Sequence, residues 1–211
     1  DSQANTTESL PIDMSEVASR GVYEVLNRDL NVAQAVRNLD ANFDLLPSHI
    51  KLAKLEPMLN GAVDAYRLKD ALAEVDTDYV VIDCPPSLGP LTQNALIAAS
   101  HVIIPVKPAY FGLSAVSDFL ETCEQVKRRL NPSLKITGIL ITQYDPRTKL
   151  AQDVTAELRQ RYGDLLFKTH IQTNIRLDEA TSAKLSIFSY DPKSSGAANY
   201  ASFVDEVLAR G

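Results

Sequence analysis

The sequence predicts an α/β fold in which parallel strands are joined by helices, and three observations predict it. Strand-like runs recur along the chain, helical periodicity fills most of the gaps between them, and polar loops follow several of the runs. The runs are FDLLP at 43–47, YVVID at 79–83, HVIIPV at 101–106, KITGILIT at 135–142 and LLFKTHI at 165–171. Val and Ile suit a pleated, buried surface, and a short apolar run bounded by turn residues reads as an interior strand of a parallel sheet. The clearest helix places Val116, Phe119, Leu120, Cys123, Val126 and Leu130 on one face. The last segment repeats the pattern with Ala197, Tyr200, Ala201, Val204, Val207 and Leu208. Both stripes are core faces, and strands alternating with helices of this length call for right-handed crossovers.

The totals narrow the class. A chain of 211 residues suits one domain, taken as 1–211, with a large core. Apolar residues make up 45% and charged residues 23%, the balance of a globular protein and not of a disordered one. No apolar run approaches the roughly 20 residues needed to cross a bilayer. Cys84 and Cys123 have no CxxC spacing and no nearby His, which argues against a disulfide framework or a zinc site and suits a reducing cytoplasm. A net charge of −6 confines any nucleic-acid contact to one local face. The chain opens on Asp1 with no basic-then-apolar leader, so nothing in it reads as a secretion signal, and an upstream segment is expected.

The stretch YVVIDCPPSLG holds the first candidate residue. Asp83 falls at the carboxyl end of an expected strand, the edge at which open α/β sheets bind ligands, so its carboxylate either meets a ligand or caps the next turn. Pro85 and Pro86 end the strand and stiffen the chain beyond it. Four loops at this edge carry polar residues that a plain connection does not need: DSQANTT at 1–7, DCPPSLG at 83–89, TQYDPRT at 142–148 and IQTNIRLDEA at 171–180.

These four stretches, in this order, resemble the ParA/Soj branch of the ParA–MinD ATPases, a group of P-loop NTPases. The likeness extends through LLPSHIKLA, LIAASHVIIPV, RRLNPSLKITGILIT and YDPKSSGAANY, and so over nearly the whole chain. It implies a mostly parallel twisted sheet with helices on both faces. It also implies an ATP-dependent chromosome or plasmid partition protein that dimerises on ATP, binds DNA non-specifically, and hydrolyses ATP when a ParB-type partner stimulates it. ATP and Mg2+ are the implied cofactors, and the implied location is the cytoplasm, on the nucleoid and away from the membrane. A non-enzymatic DNA-binding or scaffold relative, and a MinD-like positioning ATPase, are the alternatives. The C-terminal ASFVDEVLARG, with Asp205 and Glu206 and only Arg210 as a base, makes a poor membrane anchor.

Residue by residue, Asp83 matches the Walker B aspartate, which holds magnesium through a bound water; a hard carboxylate oxygen suits that ion. Asp1 matches the aspartate of the DxQ switch motif, assigned to the water that attacks the γ-phosphate. Family members usually carry Pro where this chain has Ser2. Gln143 and Asn174 match nucleotide-binding positions; an amide both donates to and accepts from a purine edge. The family usually reads Ile-Pro-Arg-Asn up to that second position, whereas Gln172 and Thr173 replace Pro and Arg here. Arg147 and Arg176 match arginines that grip DNA, since guanidinium groups suit phosphate oxygens and such contacts carry no sequence information.

The Gly-rich loop that defines the family, GxxxxGK[ST], does not occur in the 211 residues. Either it lies upstream of Asp1, or the protein is a shortened relative that has lost ATP chemistry. The chain by itself is expected not to bind ATP tightly, lacking the loop's backbone donors and lysine. Without the strands that accompany the loop, the 80–82 segment loses a neighbour and exposes unpaired backbone and apolar surface.

Overall fold

Apolar spacing and capping residues divide the chain into a helical portion and a parallel-sheet portion. The computed structural model describes residues 2–110 and 112–211. Two units result: Asp1–Ala99 with Arg128–Pro132, and Ser100–Lys127 with Ser133–Gly211.

The first unit is built from short helices: α1 (Asn5–Glu8), α2 (Met14–Val17), α3 (Val22–Leu26), α4 (Val32–Ala35), α5 (Arg67–Leu72) and α6 (Pro90–Ala98). Leu26, Leu52, Leu55, Leu59, Leu68, Leu91 and Ala95 pack into its main core. Helix α6 begins at Pro90, where a missing N–H costs nothing, and its last carbonyls are satisfied by a side chain. Asn131 Nδ2 donates to the Leu96 and Ala99 oxygens at 2.9 and 2.7 Å, tying the 128–132 segment to this unit. The expected strand at 43–47 appears as β2 (Phe43–Leu45), but it pairs antiparallel with β1 (Arg37–Asp40) in a two-stranded hairpin. It is not a member of the parallel sheet.

The expected strand at 79–83 does not form. Residues 79–83 lie outside any helix or strand, with Tyr79 74% and Val81 93% exposed. A strand needs a partner for its N–H and C=O groups, and none of the described strands pairs with this segment. β-branched residues make a segment competent to pair, but they do not supply the neighbour.

The second unit carries the parallel sheet in the order β3–β4–β5, formed by β3 (His101–Val106), β4 (Lys135–Tyr144) and β5 (Leu166–Gln172). Side chains alternate across β4, so its central run feeds two cores. Ile139 and Ile141 join Ile104, Val106 and Leu166 on one face, covered by Val116 of α7 (Gly112–Arg129) and by Val154 and Leu158 of α8 (Lys149–Tyr162). Leu140, Phe167 and Ile171 lie on the other, covered by Leu177 of α9 (Ile175–Ser182) and by Phe203 and Val207 of α11 (Ser195–Arg210). Helices therefore flank both faces, and each fully buried aliphatic or aromatic side chain contributes about 1.5–3 kcal/mol. A short α10 (Ile187–Tyr190) lies between the last two helices in the chain.

One end of α11 is locked to the sheet by charge. Arg210 donates to the Thr137, Asp164 and Leu166 carbonyls at 3.0, 3.0 and 3.1 Å, and its guanidinium sits 4.0 Å from the centre of the Phe167 ring. Glu206 accepts from Arg210 Nη2 at 2.8 Å and from the Lys168 and Thr169 N–H groups at 2.9 and 3.0 Å. Position 138 must be glycine for this approach, because a Cβ there would lie 2.7 Å from both Arg210 Nη1 and Phe167 Cε2.

Helix α9 ends on Lys184 in the left-handed region, at φ 55°. Its N–H returns to the Thr181 oxygen at 3.0 Å and that of Leu185 to Ala180 at 3.0 Å, a turn that glycine makes without a Cβ clash. Because the side chain is exposed, Lys184→Gly is expected to stabilise the protein by about 0.5–1 kcal/mol, the strain relieved exceeding the added chain entropy. An unchanged or lower denaturant midpoint would contradict this.

Candidate functional site

The DxQ segment and the Asp83 segment meet in the first unit. Ala4, buried and at φ 60°, turns the chain into α1, and the consecutive threonines that follow make different contacts. Thr7 is buried and its hydroxyl accepts from the Ser48 N–H at 2.8 Å, which anchors the segment to LLPSHIKLA. Thr6 Oγ1 donates to Asp83 Oδ2 at 2.5 Å, the distance of a charge-assisted O–H···O− bond. Asn5 Nδ2 donates to Gln3 Oε1 at 3.2 Å within the same turn. Asp1, matched to the attacking water, lies outside the described residues. Asp83 is exposed and belongs to no strand, and the Thr6 hydroxyl is one of its partners.

In the second unit two of the loops lie at the carboxyl edge of the sheet, the side on which such folds bind ligands. Gln143 sits near the end of β4 at φ 51°, inside the shift of the β4–β5 register between Ile141 and Tyr144, with its side chain exposed. A non-glycine residue held in that region marks a bulge, and bulges concentrate near sites because they redirect a side chain. The adjoining loops are tied by the Thr173 N–H to the Tyr144 oxygen at 3.1 Å. Below them His170 stacks edge-on against Tyr144, with centroids 5.0 Å apart. Burial pushes the His170 imidazole below its usual range, Arg159 adds to this, and Glu206 opposes it.

Asn174 has a structural occupation. Its Oδ1 caps α9 by accepting from the Arg176 N–H at 2.9 Å, and its Nδ2 donates to Ser195 Oγ at 2.8 Å, at the start of α11. One N–H and one lone pair remain for any purine edge.

Both candidate DNA arginines are exposed and both carry carboxylate partners. Arg147, with a side chain 86% exposed, forms a two-pronged pair with Asp145 through Nε at 2.9 Å and Nη2 at 2.8 Å. The Arg147 side chain, and then its N–H, hold the Asp145 carboxyl down at about 2. Arg176 pairs with Glu179 at 2.7 Å and lies 3.6 Å from Asp191. Sequence reading missed these pairs, although Asp145 and Glu179 stand two and three residues from their arginines and the second spacing is that of a helical ion pair. It also missed Thr6. No cluster of three or more His, Cys, Asp or Glu side chains suited to a metal occurs among the described residues.

Comparison with known proteins shows the family of the chain. The AAA domain family matches residues 1–136. The chromosome-partitioning ATPase Soj of Thermus thermophilus is 42% identical over 210 residues, covering all of this chain and 81% of that protein. The sporulation initiation inhibitor protein Soj of Bacillus subtilis is 40% identical over 215 residues, covering 100% of the chain and 85% of its own length. Among solved structures, cobyrinic acid a,c-diamide synthase from Mycobacterium smegmatis, with bound ATP analogue and magnesium, superposes with a TM-score of 0.82 at 37% identity, over 99% of this chain and 79% of that one. An ATP complex of a McdA variant from Cyanothece shares the fold at a TM-score of 0.87 and 21% identity, over 99% and 82% of the two chains. The sheet flanked by helices, the order of the four loops and full-length identities of 40% and above agree: the chain belongs to the ParA/Soj family of partition ATPases, which use ATP and Mg2+.

Proposed function

We propose that the full-length protein dimerises on ATP, grips DNA through Arg147 and Arg176 without regard to sequence, and leaves the DNA when a ParB-type partner stimulates hydrolysis. The observation that carries this reading is the exposure of both arginines just beyond the carboxyl ends of β4 and β5, in a chain whose full length aligns with Soj proteins. Their carboxylate partners do not oppose it. An exposed ion pair in water contributes little, so a polyanion competes with Asp145 and Glu179 for the guanidinium groups. With a net charge of −6, one subunit offers DNA a mostly repulsive surface; two subunits double the contacts and make the second set nearly intramolecular.

The donor set around Asp83 fits magnesium. That ion takes one or two carboxylates and completes its shell with waters and phosphates, so the Asp83 carboxylate beside the Thr6 hydroxyl is a suitable hard-oxygen site. When bound, the ion neutralises charge on the phosphates. Asp83 holds it in place, and Asp1 is assigned to orienting the attacking water, where position matters more than basicity. Gln143 and Asn174 are assigned to the nucleotide.

A salt titration of ATP-bound full-length protein on unrelated DNA duplexes tests the DNA face. Affinity is expected to fall by about 0.9 log units per log unit of salt for each phosphate contacted. Arg147→Glu and Arg176→Glu are expected to weaken binding to all sequences alike and to leave basal ATP hydrolysis unchanged. Parent-like affinity and salt slope in both variants would move the DNA face elsewhere.

A further inference from the structure

We propose that Asp145 and Glu179 act as internal substitutes for DNA phosphates, occupying Arg147 and Arg176 and holding the grip on DNA below what the two arginines alone would give. The inference rests on the assignment of those arginines to DNA, and it goes beyond that assignment in naming the residues that limit the grip.

Both pairs are local. Asp145 and Arg147 stand two residues apart in one loop, and Arg176 and Glu179 three apart on α9, so each pair is set by the geometry of its own turn. The loop follows β4, which is paired on both edges, to β3 and to β5. Asp145 covers one edge of the Arg147 guanidinium, accepting from Nε at 2.9 Å and from Nη2 at 2.8 Å, the two-pronged geometry in which a phosphate also binds. Glu179 accepts from Arg176 Nη1 at 2.7 Å, and Asp191 lies 3.6 Å from its Nε, so three carboxylates face two guanidinium groups. Exposed pairs of this kind are weak in water, and DNA opens them at little cost. Their charge is not removed with them. An opened pair leaves a carboxylate beside a phosphate, and a like charge about 4 Å away in water weakens binding about 5-fold. The Arg147 side chain and N–H hold the Asp145 carboxyl down at about 2, so it stays ionised at neutral pH. The same carboxylates stand ready to take the guanidinium groups back as DNA leaves, which suits a protein that has to let go.

The test measures the affinity of ATP-bound full-length protein for unrelated DNA duplexes over a range of salt. Asp145→Asn removes the charge and keeps an oxygen for the Arg147 N–H, 3.0 Å away, that shapes the loop. Glu179→Gln likewise keeps an acceptor for the Tyr190 hydroxyl at 3.3 Å. Each is expected to tighten binding about 5-fold per subunit and to steepen the salt dependence by about 0.9 log units per log unit for each phosphate gained. Removing any acid from a chain of charge −6 favours DNA, so Asp164→Asn, an exposed carboxylate just before the amino end of β5, is the control and is expected to gain far less. In an Arg147→Ala background, Asp145→Asn is expected to gain no more than that control. Three results overturn the proposal: gains in Asp145→Asn and Glu179→Gln no larger than in Asp164→Asn, a full gain from Asp145→Asn without Arg147, or weaker binding, which would make the carboxylates supports for the arginines. Arg147→Glu and Arg176→Glu are measured alongside. If both keep the parent's affinity, the DNA assignment itself fails and the role of the carboxylates falls with it. If both weaken binding while the acid variants change nothing, only the limiting role fails.

Discussion

Replacing Asp1 with alanine in the full-length protein is expected to cut ATP hydrolysis by at least about 100-fold while leaving nucleotide binding and dimerisation largely in place. Replacing Asp83 is expected to act earlier, removing the magnesium-dependent part of nucleotide binding. The contrast follows from the roles assigned to the two carboxylates. One positions a water that matters only as the phosphoryl group transfers, so its loss appears in turnover; the other holds an ion already present in the bound state, so its loss appears in affinity. Phosphate release and equilibrium binding, each with and without Mg2+, separate the two. Equal loss of nucleotide binding in both variants would show the division of roles to be wrong.

The largest effect on stability is expected at the end of α11. Burial pushes the Glu206 carboxyl up, but the Lys168 and Thr169 N–H groups and the Arg210 guanidinium outweigh it and hold the group down at about 2. Glu206→Ala strips the acceptor from two backbone donors and the pairing charge from Arg210, and is expected to cost about 3 kcal/mol. Arg210→Lys is no substitute, since a point charge cannot serve the carbonyls of Thr137, Asp164 and Leu166 together and lie over the Phe167 ring. The sign of the pH dependence is definite. A carboxyl depressed from 4.5 to about 2 contributes stability that is present above pH 4.5 and is lost as the pH falls toward 2. Glu206→Gln is therefore expected to flatten the acid limb of stability against pH. Denaturant midpoints between about pH 7 and pH 3, for parent and both variants, provide the check. An alanine variant within about 1 kcal/mol of the parent at neutral pH, or a glutamine variant with the same acid limb, counts against the lock.

What the amino-acid order discloses, and what it hides, divides along local and distant interactions. HVIIPV at 101–106 coincides with β3, whose Ile104 and Val106 are buried on one face while Ile103 and Pro105 are exposed on the other, so β-branched composition located the strand although only one of its faces is covered. The stripe from Val116 to Leu130 located α7, since helical spacing is set by the helix's own geometry. YVVID at 79–83 has a similar composition to β3 and forms no strand, because pairing depends on a neighbour that composition cannot supply. The hairpin partner β1, RNLD, has little apolar signature and gave no cue. At the site, Asp83, Gln143, Asn174 and the two arginines were legible as chemical types in polar loops. The Thr6–Asp83 bond spans 77 positions and was not. Nor was the occupation of Asn174, whose partner Ser195 lies on another helix.

The run from Tyr79 to Ile82, exposed through Val81, also bears on how this 211-residue chain behaves in bulk. Aromatic and β-branched residues in sequence, without a proline or a charge among them, form the kind of segment that adds to the edge of another sheet or stacks against copies of itself. Folded proteins normally guard such a stretch with a lysine, a bulge or a covering helix, whereas here the nearest charges are the acidic Asp78 and Asp83 that bracket it. Like charges at both ends repel neighbouring copies over roughly 8 Å at physiological ionic strength and over only about 3 Å in molar salt. Low salt therefore keeps these segments apart, and high salt screens the gatekeepers. For this chain, the choice of buffer acts as a control on self-association as much as on stability.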